Sequence, residues 1–261
     1  MLNENLQNGS LNNTKMIKNQ MSRIKELELL TKSIIKNNIT YGLSRSIRNL
    51  QKEIRLYKNH INGTKNFFKK DSLTIDKLQI GGGTHILKDF VNIDILPPAD
   101  LICDVREGIP LPDNCVKLIF NEHILEHLDY PQSVKKLIKE FFRVIKPSGD
   151  LIIGVPDSEK IIKNYVNEDK KLSRQIIENW YNKRDNMKEH INTKIDLINY
   201  ALRDQDDDPV YTSHLWSFDY EKLKSLLTEA GFSKIKRWPF DKTIANPKRR
   251  FCSLYVTAKK I

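Results

Sequence analysis

The chain has 261 residues, 39% of them hydrophobic, which is enough for a domain with a real core plus an appendage. Its three cysteines are odd in number and lack CxxC spacing, so we expect reduced packing residues and a cytoplasmic protein. No apolar run approaches the roughly 20 residues that cross a bilayer, and the Asn-rich start has no apolar signal core, which argues against a membrane span and against secretion.

The net charge of +11 is concentrated near the N-terminus. Residues 1–70 hold 14 Lys and Arg against 4 acids, whereas residues 71–261 hold 30 against 29. A protein that acts on nucleic acid usually needs a basic groove, and the nearly neutral main part gives no sign of one. We therefore expect no nucleic acid partner and divide the chain into a basic extension, residues 1–70, and a main domain, residues 71–261.

The basic extension is predicted to be disordered at first and helical later. Residues 1–14 contain too few apolar residues to offset the entropy of ordering. The helical part carries an apolar stripe with steps of four and three, formed by Leu43, Ile47, Leu50, Ile54, Tyr57 and Ile61. An amphipathic helix packed on its own domain is favoured. A coiled coil, which would make a homodimer instead of a monomer, and a cationic helix on an acidic membrane surface are the alternatives.

From residue 77 to residue 157, short apolar runs alternate with helical patterns, and most runs end in a polar residue. Pro131 can begin a helix whose apolar residues recur at steps of three and four, until Pro147-Ser148-Gly149 ends it. This alternation predicts an α/β fold with a parallel sheet. In such sheets the polar residues at successive strand ends converge on one crevice, which is where ligands bind.

Six short motifs stand in a fixed order along this part of the chain. They are Gly81-Gly82-Gly83, Asn92-Ile93-Asp94, Asp104-Val105, Leu111-Pro112-Asp113-Asn114, Glu122-His123-Ile124-Leu125-Glu126-His127 and Lys146-Pro147-Ser148-Gly149. This order resembles the class I S-adenosylmethionine-dependent methyltransferases, and most closely the type 11-like branch associated with bacterial surface-polysaccharide or capsule modification. The tail, from His214-Leu215-Trp216 through Gly231-Phe232, resembles the last helix of that family before its terminal hairpin.

The resemblance implies a Rossmann-like sheet of seven strands with a C-terminal antiparallel hairpin. To this sheet the chain's own sequence adds an N-terminal helical extension and a helical lid insert at residues 158–211. The resemblance also implies S-adenosyl-L-methionine as cofactor and S-adenosyl-L-homocysteine as product. The expected acceptor is a small molecule, most favourably an oxygen of a sugar, nucleotide-sugar or phosphoryl-linked group.

The expected cofactor residues follow the strand ends. Glycines let the backbone approach the ligand, and N–H groups near a helix start favour a carboxylate, so Gly81, Gly82 and Gly83 should cradle the amino-acid end. Asp94, followed by Ile95, should anchor the ribose. The resemblance implies that Asp104 accepts from the adenine amino group, that Val105 donates its N–H to the ring, and that the methyl group is bordered by Asn121, Glu122 and His123.

Two positions depart from the family pattern. Gln79 stands where many members have an acid, so it can hydrogen-bond to the cofactor but lacks a charge for its ammonium group. His85 replaces a common glycine and could either touch the cofactor carboxylate or point outward.

Only 10 residues separate Gly83 from Asp94, which predicts a first crossover helix of one or two turns.

Methyl transfer to a hydroxyl requires in-line positioning and removal of a proton. The candidate bases are His214, His123 and Asp157, and His214 is favoured because it lies between the insert and the last helix. The alternative is a core or capping histidine. The insert also contains four aromatic residues that either line an acceptor pocket or pack the insert's own core: Trp180, Tyr181, Tyr200 and Tyr211.

Two other functions remain as alternatives. His123 and His127 fit an H-x-x-E-H pattern and, on one helix face, could bind the zinc of a hydrolase, but the sequence names no third ligand, so we expect no metal. A turn exposed to solvent before a proline is the favoured interpretation of the acids Asp204, Asp206, Asp207 and Asp208, with an ion site as the alternative.

The alternative to an enzyme is a non-catalytic nucleoside-binding scaffold protein that works through its basic helix.

Overall fold

The computed structural model describes residues 21–37, 39–67, 75–181, 193–203 and 213–261. The chain divides into two units, Met1–Lys58 and Asn59–Ile261. Several predictions fall outside the described residues: the disordered start at residues 1–14, the acids at positions 204 and 206–208, Tyr211, and the side chains of Trp180 and Tyr181.

The first unit contains α1, residues 21–35, and most of α2, Tyr41–Phe67. The predicted stripe of α2 is divided, because Ile47 and Ile54 are buried whereas Leu43 and Leu50 are exposed. Within this unit α1 and α2 also contact each other through polar groups, since Glu28 of α1 pairs with Lys58 of α2. The isoleucines of the stripe therefore pack on the chain itself, as an amphipathic helix does.

The second unit is built on one sheet of seven strands, ordered β3-β2-β1-β4-β5-β7-β6. Strands β1 to β5 are parallel, and β7 runs antiparallel to both β5 and β6. The strands are β1 Lys77–Ile80, β2 Val91–Asp94, β3 Leu101–Ile102, β4 Val116–Glu122, β5 Ile145–Pro156, β6 Ser233–Arg237 and β7 Ser253–Lys259. The predicted Rossmann-like methyltransferase sheet with its C-terminal antiparallel hairpin is confirmed.

Further helices lie between and after the strands. The remaining α-helices are α3 Gln132–Val144, α4 Ser158–Asn167, α5 Lys170–Ile176, α6 Lys194–Arg203 and α7 Tyr220–Glu229. Helix α3 follows Pro131 as predicted and buries Val134, Leu137, Ile138, Phe141 and Val144. Each such side chain contributes about 1.5–3 kcal/mol when fully buried. The helix ends before the predicted Pro147 because the backbone is already extended at Ile145, where β5 begins.

The connection from β1 to β2, residues 81–90, forms turns and contains no helix. The predicted short crossover helix was therefore wrong. The buried side chain of Gln79 fixes the connection instead: its Nε2 donates to the His85 carbonyl at 2.7 Å, and its Oε1 accepts from the Leu87 N–H at 2.9 Å. These two bonds satisfy backbone groups that a helix would have paired internally.

The described helices of the insert form a small core together with Cys252, which precedes β7. Tyr200 is buried in this core, which supports the packing alternative for that aromatic residue. The core is formed by Ile161, Leu172, Ile176, Leu197, Tyr200, Ala201 and Cys252.

All three cysteines are unpaired, as expected, and burial raises the pKa of Cys103 and of Cys252 to about 12. Among the helices within the described ranges, none has the length and apolarity needed to cross a membrane.

Candidate active site

The ends of β1, β2 and β3 meet at one edge of the sheet. The N–H of Gly83, in the glycine turn after β1, donates to Asp94 Oδ2 at 3.0 Å. The Leu96 N–H donates to Asp94 Oδ1 at 3.1 Å, and the Cys103 N–H donates to the Asp94 carbonyl at 2.8 Å. The glycine turn and Asp94 are therefore neighbours in space, and the strand end that leads to Asp104 lies beside Asp94, as expected for the ends of parallel strands.

The glycine turn is closed by protein on one side and open on the other. Gly81 has a φ of +75°, and a Cβ there would lie 2.0 Å from the Ile124 side chain, so any other residue would strain the backbone and displace Ile124. Gly83 has a φ of +53°, but a Cβ there would meet nothing within 4 Å. The open space at Gly83 leaves room for a ligand to approach the backbone.

Gln79 and His85, both expected to bind the cofactor, make contacts with the protein. Both polar atoms of the Gln79 amide are used in the connection that follows β1, which explains the glutamine at this position: a carboxylate could not donate to the His85 carbonyl. The His85 Nε2 lies 3.3 Å from the Ile244 carbonyl oxygen. Their roles toward the cofactor stay predictions.

The Asp104 segment is held from two directions. Its carboxylate accepts from Arg106 Nε and Nη2, at 3.0 and 2.7 Å, and its N–H donates to His60 Nδ1 at 3.1 Å. The Ile95 carbonyl accepts from Asn59 Nδ2 at 3.1 Å. Sequence reasoning missed Asn59 and His60, because polar residues of an amphipathic helix give no sign of what they contact.

Asn121, at the end of β4, has a polar atom without a partner. Its side chain is fully buried, and its Nδ2 donates to the Ile80 carbonyl, next to the glycine turn, at 3.3 Å. Its Oδ1 has no hydrogen-bond partner among the described residues. A buried acceptor left unpaired costs about 1–3 kcal/mol. The ammonium group of S-adenosylmethionine carries donors of the kind that this oxygen lacks, so the residues fit the cofactor here.

Glu122 is buried and accepts hydrogen bonds from the C-terminal segment. Its Oε1 accepts from the Tyr255 hydroxyl at 2.6 Å and from the Asn246 N–H at 3.2 Å, while its Oε2 accepts from Arg249 Nη1 at 3.2 Å. Burial and this carboxylate raise the pKa of Tyr255 well above its usual range, which keeps the phenol protonated as a donor. The expected position of Glu122 beside the methyl group stays a prediction.

His123 and Glu126 form a buried neutral pair. His123 Nδ1 lies 3.2 Å from Glu126 Oε1, and His123 Nε2 lies 2.8 Å from Ser253 Oγ. Burial lowers the pKa of His123 well below its ordinary value and raises the pKa of Glu126 to about 8. Near neutral pH the contact therefore joins an uncharged imidazole to a protonated carboxyl group, although its geometry alone would suit an ion pair.

His123 and His127 do not share a helix face, so the geometry that the zinc alternative requires of these two residues is absent. His123 has a φ of +57° and is not part of a helix. The residues after it, Leu125–His127, form a short 3₁₀ turn, and helix α3 begins later, at Gln132. The Glu126 carbonyl in this turn accepts the N–H groups of Leu215 and Trp216.

The structure instead groups His127 with Glu126 and His214, whose donor atoms lie within 4.8 Å of one another. Ligands of tetrahedral zinc lie about 3.3 Å apart, given bonds of about 2.0–2.1 Å. The three side chains could hold an ion only after moving closer together.

The candidate bases differ in their surroundings. His214 is half-buried, its ring meets that of His127 edge-on at 4.8 Å, and its Nδ1 lies 3.1 Å from the Ala201 carbonyl oxygen. The bonds from Leu215 and Trp216 to the Glu126 carbonyl place His214 beside the 3₁₀ turn Leu125–His127. Asp157 accepts from the Lys160 N–H at 3.0 Å and so caps α4.

Residues 86–153, which span β2 to β5, match the model of a methyltransferase domain family. Together with the strand order and the glycine turn beside Asp94, this match supports an S-adenosylmethionine-dependent methyltransferase with S-adenosylmethionine as its cofactor.

Among curated proteins, an uncharacterized protein of Methanocaldococcus jannaschii is 29% identical over 115 residues, which cover 40% of this chain and 49% of that protein. The chain thus spans about half the length of this relative.

Solved structures with a similar fold include two S-adenosylmethionine-dependent methyltransferases. The one from Archaeoglobus fulgidus is 18% identical, with 82% of this chain and 94% of that chain covered and a TM-score of 0.42. The one from Methanosarcina mazei is 15% identical, with 76% and 96% covered and a TM-score of 0.43. A third, the 1,6-didemethyltoxoflavin-N1-methyltransferase of Burkholderia thailandensis with bound S-adenosylhomocysteine, is 12% identical, with 79% and 78% covered and a TM-score of 0.40.

Replacing Gln79 with glutamate should destabilise the fold. The carboxylate would leave the His85 carbonyl without its donor, so we expect a loss of about 1–3 kcal/mol in the free energy of unfolding, measured by urea denaturation. The matched control is Gln132→Glu, the same substitution at an exposed first residue of α3, which should change the stability by less than about 0.5 kcal/mol. Equal stabilities of the two variants would contradict the role given to Gln79.

Replacing Glu126 with glutamine should change how stability depends on pH. The pKa of Glu126 is about 8 in the folded protein against an ordinary 4.5, so between these values unfolding releases its proton and wild-type stability falls as the pH rises. As the pH rises from 5 to 8, the free energy of unfolding of Glu126→Gln should therefore increase relative to that of wild type by about 1.4 kcal/mol per pH unit. Denaturation curves at several pH values measure this difference, and parallel pH profiles would show that Glu126 is ionised when folded.

Proposed function

We propose that this protein transfers a methyl group from S-adenosylmethionine to an oxygen of a small-molecule acceptor. The favoured acceptor is a sugar, nucleotide-sugar or phosphoryl-linked group in the synthesis of a surface polysaccharide or capsule. The observation that carries the proposal is the hydrogen bond between the glycine turn and Asp94, which puts the two expected anchors of the cofactor side by side.

The proposed cofactor site extends from the end of β4 to the end of β3. N–H groups of the glycine turn would bind the carboxylate of the methionine part, and Asn121 Oδ1 would accept from its ammonium group. Each oxygen of Asp94 already accepts one backbone N–H, at 3.0 and 3.1 Å, and retains a lone pair for a ribose hydroxyl. Asp104 and Val105 would meet the adenine ring.

His214 is proposed as the base that takes the proton of the acceptor hydroxyl. The bound cofactor supplies an activated methyl group, so the remaining work is to align the acceptor and remove its proton. If Nδ1 of His214 donates to the Ala201 carbonyl, 3.1 Å away, its Nε2 carries the lone pair that accepts this proton. The edge-on His127 ring and the backbone bonds to Glu126 support the position of His214.

Isothermal titration calorimetry with S-adenosylhomocysteine tests the cofactor site. Wild type should bind, and Asp94→Ala should bind about 10- to 100-fold more weakly, because the ribose hydroxyls would lose their acceptor. The matched control is Asp89→Ala, an exposed aspartate in the connection before β2, which should keep wild-type affinity. A wild-type protein that binds no S-adenosylhomocysteine would reject the proposed function.

Changing His214 to asparagine should separate binding from turnover. We expect the affinity for S-adenosylhomocysteine to stay within about twofold, while methyl transfer to an accepted sugar or nucleotide-sugar falls by about 100-fold or more. The rate at which the product S-adenosylhomocysteine is formed measures the turnover. Full activity of the variant would exclude His214 as the base, and loss of wild-type activity after chelation would favour an ion held by His127 and His214.

A further inference from the structure

The C-terminal part of α2 makes polar contacts with the ends of two strands. Asn59 Nδ2 donates to the carbonyl of Ile95, the residue after β2, at 3.1 Å. His60 Nδ1 accepts from the N–H of Asp104, two residues after β3, at 3.1 Å. Consecutive residues of one helix thus hold the two strand ends where the ribose and the adenine of the cofactor are expected.

Gly63, one turn further along α2, brings the helix backbone against β3. A Cβ at this position would lie 2.1 Å from the Ile102 carbonyl oxygen, which is too close for any side chain. Glycine is among the least favourable residues in a helix interior, so this position needs another reason, and the close approach supplies it. Gly42 in the same helix has nothing within 4 Å of a built Cβ, which shows that the constraint is local to Gly63.

The end of the helix is anchored as well. Phe67, the last residue of α2, is buried in the main core beside residues of β1, β2 and β3. The contacts of Asn59, His60 and Gly63 therefore belong to a packed element. They also lie outside residues 86–153, the part that matches the methyltransferase domain family, so that match does not include them.

We propose that residues 59–63 of α2 position the ends of β2 and β3 for binding of the adenosine moiety. Asn59 fixes the Ile95 carbonyl after the proposed ribose anchor, and His60 fixes the backbone of Asp104, whose neighbour Val105 is proposed to meet the adenine. Both are positioning residues, and Gly63 allows the helix to come close enough for them to act. The inference rests on the proposed function, because it takes adenosine as the ligand at these strand ends.

The His60 variants test the hydrogen bond to Asp104. His60→Ala should weaken binding of S-adenosylhomocysteine and of 5′-methylthioadenosine by the same factor, about 5- to 20-fold, because both ligands share the adenosine part. His60→Asn should restore most of the affinity, since its Oδ1 can accept from the Asp104 N–H at about the position of Nδ1. If His60→Asn binds as weakly as His60→Ala, or both bind like wild type, His60 does not position this segment.

The two glycines of α2 provide a matched pair. Gly63→Ala should weaken binding of both ligands by about 10-fold or more, because the helix must move away from β3, whereas Gly42→Ala should bind like wild type. Circular dichroism shows whether Gly63→Ala folds. If this variant does not fold, the His60 variants alone test whether α2 positions the strand ends.

The controls separate the two proposals. Wild type that binds neither ligand rejects the proposed function. Wild type that binds both, with His60→Ala and Gly63→Ala unchanged in affinity, rejects only the part assigned to α2.

Discussion

The hydrogen bond from the Gly83 N–H to the Asp94 carboxylate is the contact on which the rest of the site depends. It exists because β1 and β2 are parallel neighbours, so their carboxyl ends emerge at the same edge of the sheet. The turn can approach Asp94 because Gly81 and Gly83 accept positive φ angles. A side chain at Gly81 would meet Ile124, so a substitution there would strain the turn that contacts Asp94.

Buried polar groups determine which side chains at the end of β4 remain available to a ligand. Glu122 is engaged by Tyr255, Asn246 and Arg249, so its carboxylate stabilises the fold of the C-terminal segment. His123 and Glu126 are neutral together because burial opposes both charges. Asn121 is left with an unpaired acceptor, and that is the group on β4 that a cationic donor would complete.

The parts of the site come from segments of different kinds. Residues 86–153, which match the methyltransferase domain family, contain Asp94, Asp104 and the polar end of β4. Helix α2 lies before this segment and contacts its strand ends through Asn59 and His60. His214 lies after it, next to Leu215 and Trp216, whose N–H groups bond the Glu126 carbonyl in the turn that follows β4. Residues inside and outside the matched segment are thus brought together by the fold.

The sequence by itself determined the strands, helix α3, the glycine turn and the acidic strand ends, because these follow from periodicity and from the backbone preferences of neighbouring residues. The tertiary structure decided what depends on contacts between distant residues. The Gln79 bonds stand where a crossover helix was predicted, and a 3₁₀ turn stands where the zinc alternative required a helix. Asn59 and His60 were missed for the same reason, since an apolar stripe shows which face of a helix is buried but not which polar groups its other faces meet.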